Sequence, residues 1–359
     1  MRHFEYLKIF CLIIFLFLLI SCEEEDPGFM NMPEIPNIIE ENKGDDNGNL
    51  DDEEKGEDNS GLDNEGNNED KDNEEDNDPT NEPENEGGDE NTEKDNEIED
   101  FNPHEEYPLN LPLPEFNSPQ AYDYITDCEL EDNLNGMVWK YNVLLPPSYN
   151  HHPEKTYPVL FLLHGLDGHR GVWVRSMEFD KILDHFYHEY ALQEIIVVMP
   201  DAENTYYVNN HQDNIRYEDY FIQIFLPFIQ SEYRITSGYK SYMIAGYSMG
   251  GYGCAYYALK YKDSFGFCYS ISAPLDGKGK SASMPSLFGY FYTYSNDEMP
   301  KFIFDVGIDD SFATSNLNAD YVLDNRGLRH EFILREGNHN VKFWKEALYI
   351  MLQRMEMYL

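Results

Sequence analysis

The sequence is short of several things, and each shortage removes a class of protein. Its 359 residues hold five cysteines, at positions 11, 22, 128, 254 and 268. They are too few and too scattered for a disulfide-stapled scaffold. Basic residues are scarce: 25 Lys and Arg stand against 69 Asp and Glu, a net charge of −44, so the surface that would neutralise nucleic-acid phosphates is missing. Metal-ligand spacing is missing too. His185 and His188 stand three apart on a predicted helix with no cysteine or third ligand nearby, so neither a metal nor another cofactor is expected. Long apolar runs are confined to one stretch of 12 residues from Ile9 to Ile20, well short of the roughly 20 that a spanning helix needs. No internal repeat is present, which excludes solenoids and propellers.

That single run belongs to a targeting segment. Arg2 and Lys8 precede it and Leu19-Ile20-Ser21-Cys22 ends it, the layout of a secretory signal over residues 1–22. The ending resembles the lipobox of bacterial lipoproteins, where the signal is removed and Cys22 carries acyl chains; ordinary secretory cleavage is the alternative. Each buried methylene of such chains adds about 0.8 kcal/mol, so several chains make the membrane a stable partner. "CEEED" behind the anchor resembles export signals that send lipoproteins to the outer cell surface in some Gram-negative lineages. The expected location is therefore the outer membrane, surface-exposed, with the periplasmic face as the alternative. Residues 23–103 then read as a linker: between 23 and 100 there are 34 acidic and 4 basic residues and almost no aromatics. Such a segment buries too little apolar surface to offset the entropy of ordering, and its charge keeps it extended. Its "DDNGNLDDEEKGEDNS" lacks the full spacing of a calcium loop.

Residues 104–359 carry the remaining chemistry in one domain whose own net charge is about −15. Short apolar strands ("WKYNVLLP", "YPVLFLLHG", "EIIVVMPD", "SYMIAG", "FGFCYSIS", "KFIFDVG", "HEFILRE") alternate with helical segments ("MEFDKILDHFYHEY", "RYEDYFIQIFLPFIQSEY", "GYGCAYYALKY", "SNLNADYVLDNRG", "VKFWKEALYIMLQRMEMY"). Continuous apolar strands are covered on both faces, so the expected class is α/β, a mostly parallel central sheet with helices on both faces. Loops leaving the strands then gather at the carboxyl edge of the sheet, where the chemistry belongs.

At that edge "AGYSMGGYG" sets Ser248 between a buried strand and a helix, a turn sharp enough to give Gly246, Gly250 and Gly251 a steric reason to lack side chains. A serine hydroxyl needs a base, and "REGNHNVKFW" places His339 between a strand and the last helix. The base needs a carboxylate, and "FIFDVGIDDSF" offers Asp305, Asp309 and Asp310. The order Ser, Asp, His is that of α/β-hydrolases. Amides for the developing oxyanion are available at Met249, which opens a helix, and at Leu166 in "FLLHGLDGHRGVW", where His164 reads as a structural ring bonded to backbone. Trp173, Tyr206 and Tyr207 are candidates to line an acyl or alcohol pocket, with core packing the equal alternative for each.

Together, "YPVLFLLHGLDG" followed by a tryptophan, "VVMPD", "AGYSMGGYG", the D-x-G-x-x-D of Asp305 to Asp310, and "GNHNVKFW" resemble the esterase family of esterase D, tributyrin esterase, feruloyl esterase domains and mycolyltransferase antigens. The resemblance spans roughly Cys128 to the C-terminus. It implies the α/β-hydrolase fold, Ser248 as nucleophile, Asp310 as acid, His339 as base, and the amides of Leu166 and Met249 as the oxyanion hole. The implied activity is hydrolysis of a carboxylic ester substrate through an acyl-enzyme, on acetyl or feruloyl groups of polysaccharides, without a cofactor. An acyltransferase using the same acyl-enzyme and a catalytically silent binding lipoprotein are the alternatives. Two departures stand out: the family's His-Pro-Asp after the nucleophile helix is Lys260-Tyr261-Lys262-Asp263 here, and Asp309 adjoins the assigned acid.

Overall fold

The computed structural model describes residues 112–210, 214–279 and 284–359. The signal segment, Cys22 and the whole of the acidic linker lie outside the described residues. Among the described residues no helix is long and apolar enough to cross a membrane.

Ten strands are described: β1 (Asp123–Asp132), β2 (Met137–Leu145), β3 (Val159–Leu163), β4 (Ile196–Pro200), a two-residue ribbon β5 (Asn209–Asn210) and β6 (Ile215–Arg216), β7 (Tyr242–Tyr247), β8 (Phe267–Ile271), β9 (Lys301–Gly307) and β10 (Glu331–Arg335). Eight of them form one sheet in the order β1-β2-β4-β3-β7-β8-β9-β10. The pairs β1/β2 and β2/β4 are antiparallel and all others in this sheet are parallel. The sequence predicts every strand of this sheet except β1. Its "DYITDCELED" is acidic, mostly exposed, and broken by a bulge between Ile125 and Cys128, features that protect a sheet edge from pairing with other chains.

Strands β3, β4, β7 and β8 are buried along their whole length because alternate residues feed two helical layers. Leu160, Leu162, Met243, Ala245 and Tyr269 share a core with α2 (Phe179–Glu189) and α7 (Val341–Tyr358). Between Leu160 and Leu162, Phe161 points the other way and meets Phe221 and Phe225. Those two rings lie in α3, residues 217–232, predicted as one regular helix. It instead widens to a π turn over Phe221–Phe225 directly before Leu226–Glu232, whose second residue is Pro227. Proline has no N–H to return to the preceding turn, so the ladder loosens there. The remaining α-helices among the described residues are α1 (Val172–Arg175), α4 (Met249–Lys260), α5 (Phe288–Phe291) and α6 (Ala313–Asn325).

The Lys260-Tyr261 departure has a structural use. Buried Glu218 on α3 accepts from Tyr256 at 3.0 Å, from Lys260 at 2.7 Å and from the Tyr261 hydroxyl, locking α3 to the end of α4.

Buried His330, at the amino end of β10, is held between the Leu328 carbonyl (2.8 Å) and Asp320 (2.9 Å), with Asp324 at 3.8 Å. Three ligand-type atoms of this group fall within 4.8 Å of one another, on the opposite rim of the sheet from the serine loop. Burial works against the imidazolium, but Asp320 and the carbonyl outweigh it and raise the pKa of His330. A raised folded pKa lends stability that is complete below the unfolded value and is lost as pH rises through the folded one. The melting-temperature gap between wild type and His330→Gln is therefore widest below about pH 6.5 and narrows above it. A gap independent of pH in thermal unfolding scans would contradict this.

Candidate active site

The register carries five strand ends to one rim. Leu163 pairs with Gly246, Tyr247 with Ile271, Ile271 with Asp305, and Gly307 with Arg335. The segments that follow hold Leu166, Ser248, Ser272, Asp310 and His339.

Ser248 is the cap of α4 with φ 54° and ψ −117°, a left-handed conformation that a non-glycine residue holds only under constraint. The constraint is visible. The Ser248 N–H donates to Ile271 O at 2.8 Å, and its carbonyl accepts from Tyr252 N at 3.0 Å. Side chains on the flanking glycines would collide with backbone: a Cβ at Gly246 with Gly250 O, and one at Gly250 with Leu163 O. The turn therefore requires these glycines to bring β7, α4 and β3 together.

His339 follows β10, and its Nε2 lies 2.9 Å from Ser248 Oγ. Its Nδ1 is 3.0 Å and 3.1 Å from the two carboxylate oxygens of Asp310. An ionised carboxylate only accepts, so Nδ1 carries the proton and Nε2 is left to accept from the serine. The Asp310 side chain has 0% exposure while His339 keeps 29%. Burial pushes the Asp310 carboxyl up, but the hydrogen bonds from His339 and from Phe312 N (2.9 Å) outweigh it and hold it below its ordinary value. A buried carboxylate that stays charged is what an imidazolium intermediate needs beside it.

The other two aspartates are placed elsewhere. Asp309 is exposed, its N–H bonded to Gly337 O at 3.0 Å. Asp305, wholly buried inside β9, receives Arg335 at 3.1 Å and the Tyr269 hydroxyl at 3.0 Å. Arg335 also donates to Phe343 O at 2.9 Å and to Glu346 at 3.0 Å, so the buried pair ties β9 and β10 to the start of α7, bracketing the His339 loop.

Met249 is the first residue of α4, where the N–H has no intrahelical acceptor. Leu166 lies in the turn closed by Gly168 N to Gly165 O, 3.0 Å. That turn is braced from the β4 end. His164 is fully buried, its Nδ1 2.8 Å from Gly165 O and its Nε2 accepting from Ala202 N at 3.0 Å. Asp167 and Asn204 exchange two bonds of 2.8 Å, and Arg170 reaches Asp201 at 2.6 Å.

The pocket candidates need correction. Trp173 and Tyr207 are wholly buried and belong to the core rather than to a solvent-reached wall. Trp173 packs edge-on to Tyr247, and the Tyr207 hydroxyl donates to His164 O at 3.0 Å. Tyr206, 6% exposed, contacts the Gly279 region. The aromatic groups that do flank the imidazole are Phe312 and Trp344, with ring centroids 5.3 Å and 5.0 Å away. Phe312 and the Asp310 neighbour Ser272 went unnoticed in the sequence. For Phe312 the available signal was its position two residues past Asp310.

A sheet of this order, with serine on a tight strand-to-helix turn and a bonded aspartate and histidine following later strands, defines an α/β-hydrolase. More narrowly, the profile of the Putative esterase family matches residues 135–355, and the chain belongs to that family. An esterase of Mycobacterium tuberculosis is 34% identical over 159 residues, which is 43% of this chain and 32% of that protein, so this chain spans about a third of that relative's length. An acetyl esterase of Caldicellulosiruptor saccharolyticus is 24% identical over 218 residues, covering 53% of this chain and 79% of its own. Among solved structures, a ferulic acid esterase superposes with a TM-score of 0.62 at 27% identity, over 67% of this chain and 100% of its own.

Proposed function

We propose that the protein is a serine carboxylesterase that works through an acyl-enzyme. One observation carries this reading: the continuous bonding path from Ser248 Oγ through His339 to Asp310. In the reaction, His339 Nε2 takes the hydroxyl proton as Ser248 attacks the ester carbonyl, and Asp310 stabilises the imidazolium. The amides of Leu166 and Met249 receive the oxyanion, a contribution worth about 10²–10³ in rate per donor. The imidazolium then returns its proton to the departing alkoxide, the alcohol leaves, and water repeats the sequence to free the acid.

The narrower proposal is that the substrates are acetyl or feruloyl esters of polysaccharides outside the cell. It is supported by likeness to an acetyl esterase and a ferulic acid esterase. The same proposal takes Cys22 as a lipid-anchored position and the acidic segment as a tether, with the enzyme working at the outer surface. A panel of acetylated and feruloylated oligosaccharides, triglycerides and thioesters tests both parts. The expected result is turnover of all carboxylic esters tested, with kcat/KM highest for the sugar esters. Preference for triglycerides or thioesters overturns the narrower proposal, and turnover of none overturns the whole.

A further inference from the structure

Tyr247, the residue before the nucleophile, is 4% exposed and touches more than its own strand. On one side its ring lies against the oxyanion turn. A Cβ at Gly165 would collide with Tyr247 Cε2, and one at Gly168 would stand 3.1 Å from the Tyr247 hydroxyl. Trp173, just beyond that turn, meets the ring edge-on at 5.3 Å and 79°. On the other side Trp344 lies over it at 4.4 Å and 32°. Trp344 in turn meets His339 edge-on at 5.0 Å and 87°. A run of packed rings thus leads from the oxyanion turn through Tyr247 and Trp344 to the imidazole, with Ser248 the next residue along the chain.

A tryptophan is a costly choice for mere filling here. Among the described residues the buried Trp344 indole N–H has no hydrogen-bond partner, a penalty that an apolar side chain of similar reach does not carry. What the indole supplies and an aliphatic chain lacks is a flat face toward Tyr247 and an oriented contact with the imidazole. Aromatic rings also have few rotamers, so they fix a distance with little entropy lost on packing.

We propose that Tyr247 and Trp344 are positioning residues that set the spacing between the oxyanion turn, Ser248 and the His339 imidazole. The proposal rests on the esterase reading above. Simple core packing is the competing account, since Tyr247 belongs to the main apolar core. The two differ in what they move. Core packing affects unfolding temperature and the fraction of active molecules, whereas positioning affects the rate of each active molecule.

The test compares full-length wild type with Tyr247→Leu, Trp344→Leu, the double leucine variant, Tyr247→Phe and Trp344→Phe. Active sites are counted with a fluorophosphonate, and kcat and KM are measured on 4-nitrophenyl acetate. Misplacement of reacting groups by about 1 Å costs on the order of 10²-fold, so each leucine variant loses about ten- to a hundredfold in kcat per titrated site with little change in KM. The double variant loses less than the product of the two, because one contact is broken in each. The phenylalanine variants recover most of the rate. Should Tyr247→Leu fail to fold, Trp344→Leu at the half-buried rim carries the test alone. Leucine variants with wild-type kcat per titrated site overturn the positioning role while leaving the esterase reading intact. A wild type that neither titrates nor turns over overturns both.

Discussion

Ser248→Ala lowers kcat/KM for a short-chain aryl ester by about 10⁴–10⁶-fold, the loss expected when the nucleophile of a triad is removed. The size follows from the geometry. With the hydroxyl gone, His339 has no proton to take, and the ester faces only water, the oxyanion amides and whatever binding remains. Those residual groups still accelerate hydrolysis by about 10³–10⁴ over water in such enzymes, so the variant retains a trace rather than nothing. The fold should persist, since the Ser248 side chain makes no cap bond and the turn is held by backbone contacts at Ile271 and Tyr252. A steady-state assay on variant and wild type with matched circular dichroism checks this, and variant activity within tenfold of wild type would contradict it.

Asp310→Asn lowers kcat by about 10⁴-fold, whereas Asp309→Asn stays within about threefold. The asparagine keeps the shape of the site, but its amide can donate to His339 Nδ1. That stabilises the tautomer with the proton on Nε2, which then has no lone pair for Ser248. Asp309 has no such leverage, because its carboxylate faces solvent and its fixed contact is the backbone bond to Gly337. Parallel kinetics on the two variants decide between neighbours that one sequence cannot separate. Equal losses, or a larger loss at Asp309, would reassign the acid.

Much of this site is legible in the residues alone because each functional group sits at the end of an apolar strand, and parallel strands deliver their ends to one rim. The glycines around Ser248 are legible for the same reason: a sharp turn excludes side chains on both sides. What is illegible depends on backbone detail. Asp310 rather than Asp309 points inward because its N–H closes a 3.1 Å turn on Gly307 O while Phe312 N caps its carboxylate at 2.9 Å. Tyr207 looks like a pocket wall until Gly253 on α4 is seen to leave a notch that its ring fills. Strand β1 is hidden by its acidity, since an edge strand needs no apolar run. The ring sequence from Tyr247 to His339 joins residues 97 and five positions apart, and the longer of these contacts has no local signature.

The central claim is that Ser248 is an activated nucleophile. The most direct measurement is mass spectrometry of the protein after brief treatment with a fluorophosphonate, followed by peptide mapping. The account predicts one adduct, on the peptide that contains Ser248, formed at a rate that collapses in His339→Ala. An unlabelled Ser248 in protein that still hydrolyses esters, or labelling that is indifferent to His339, would contradict it.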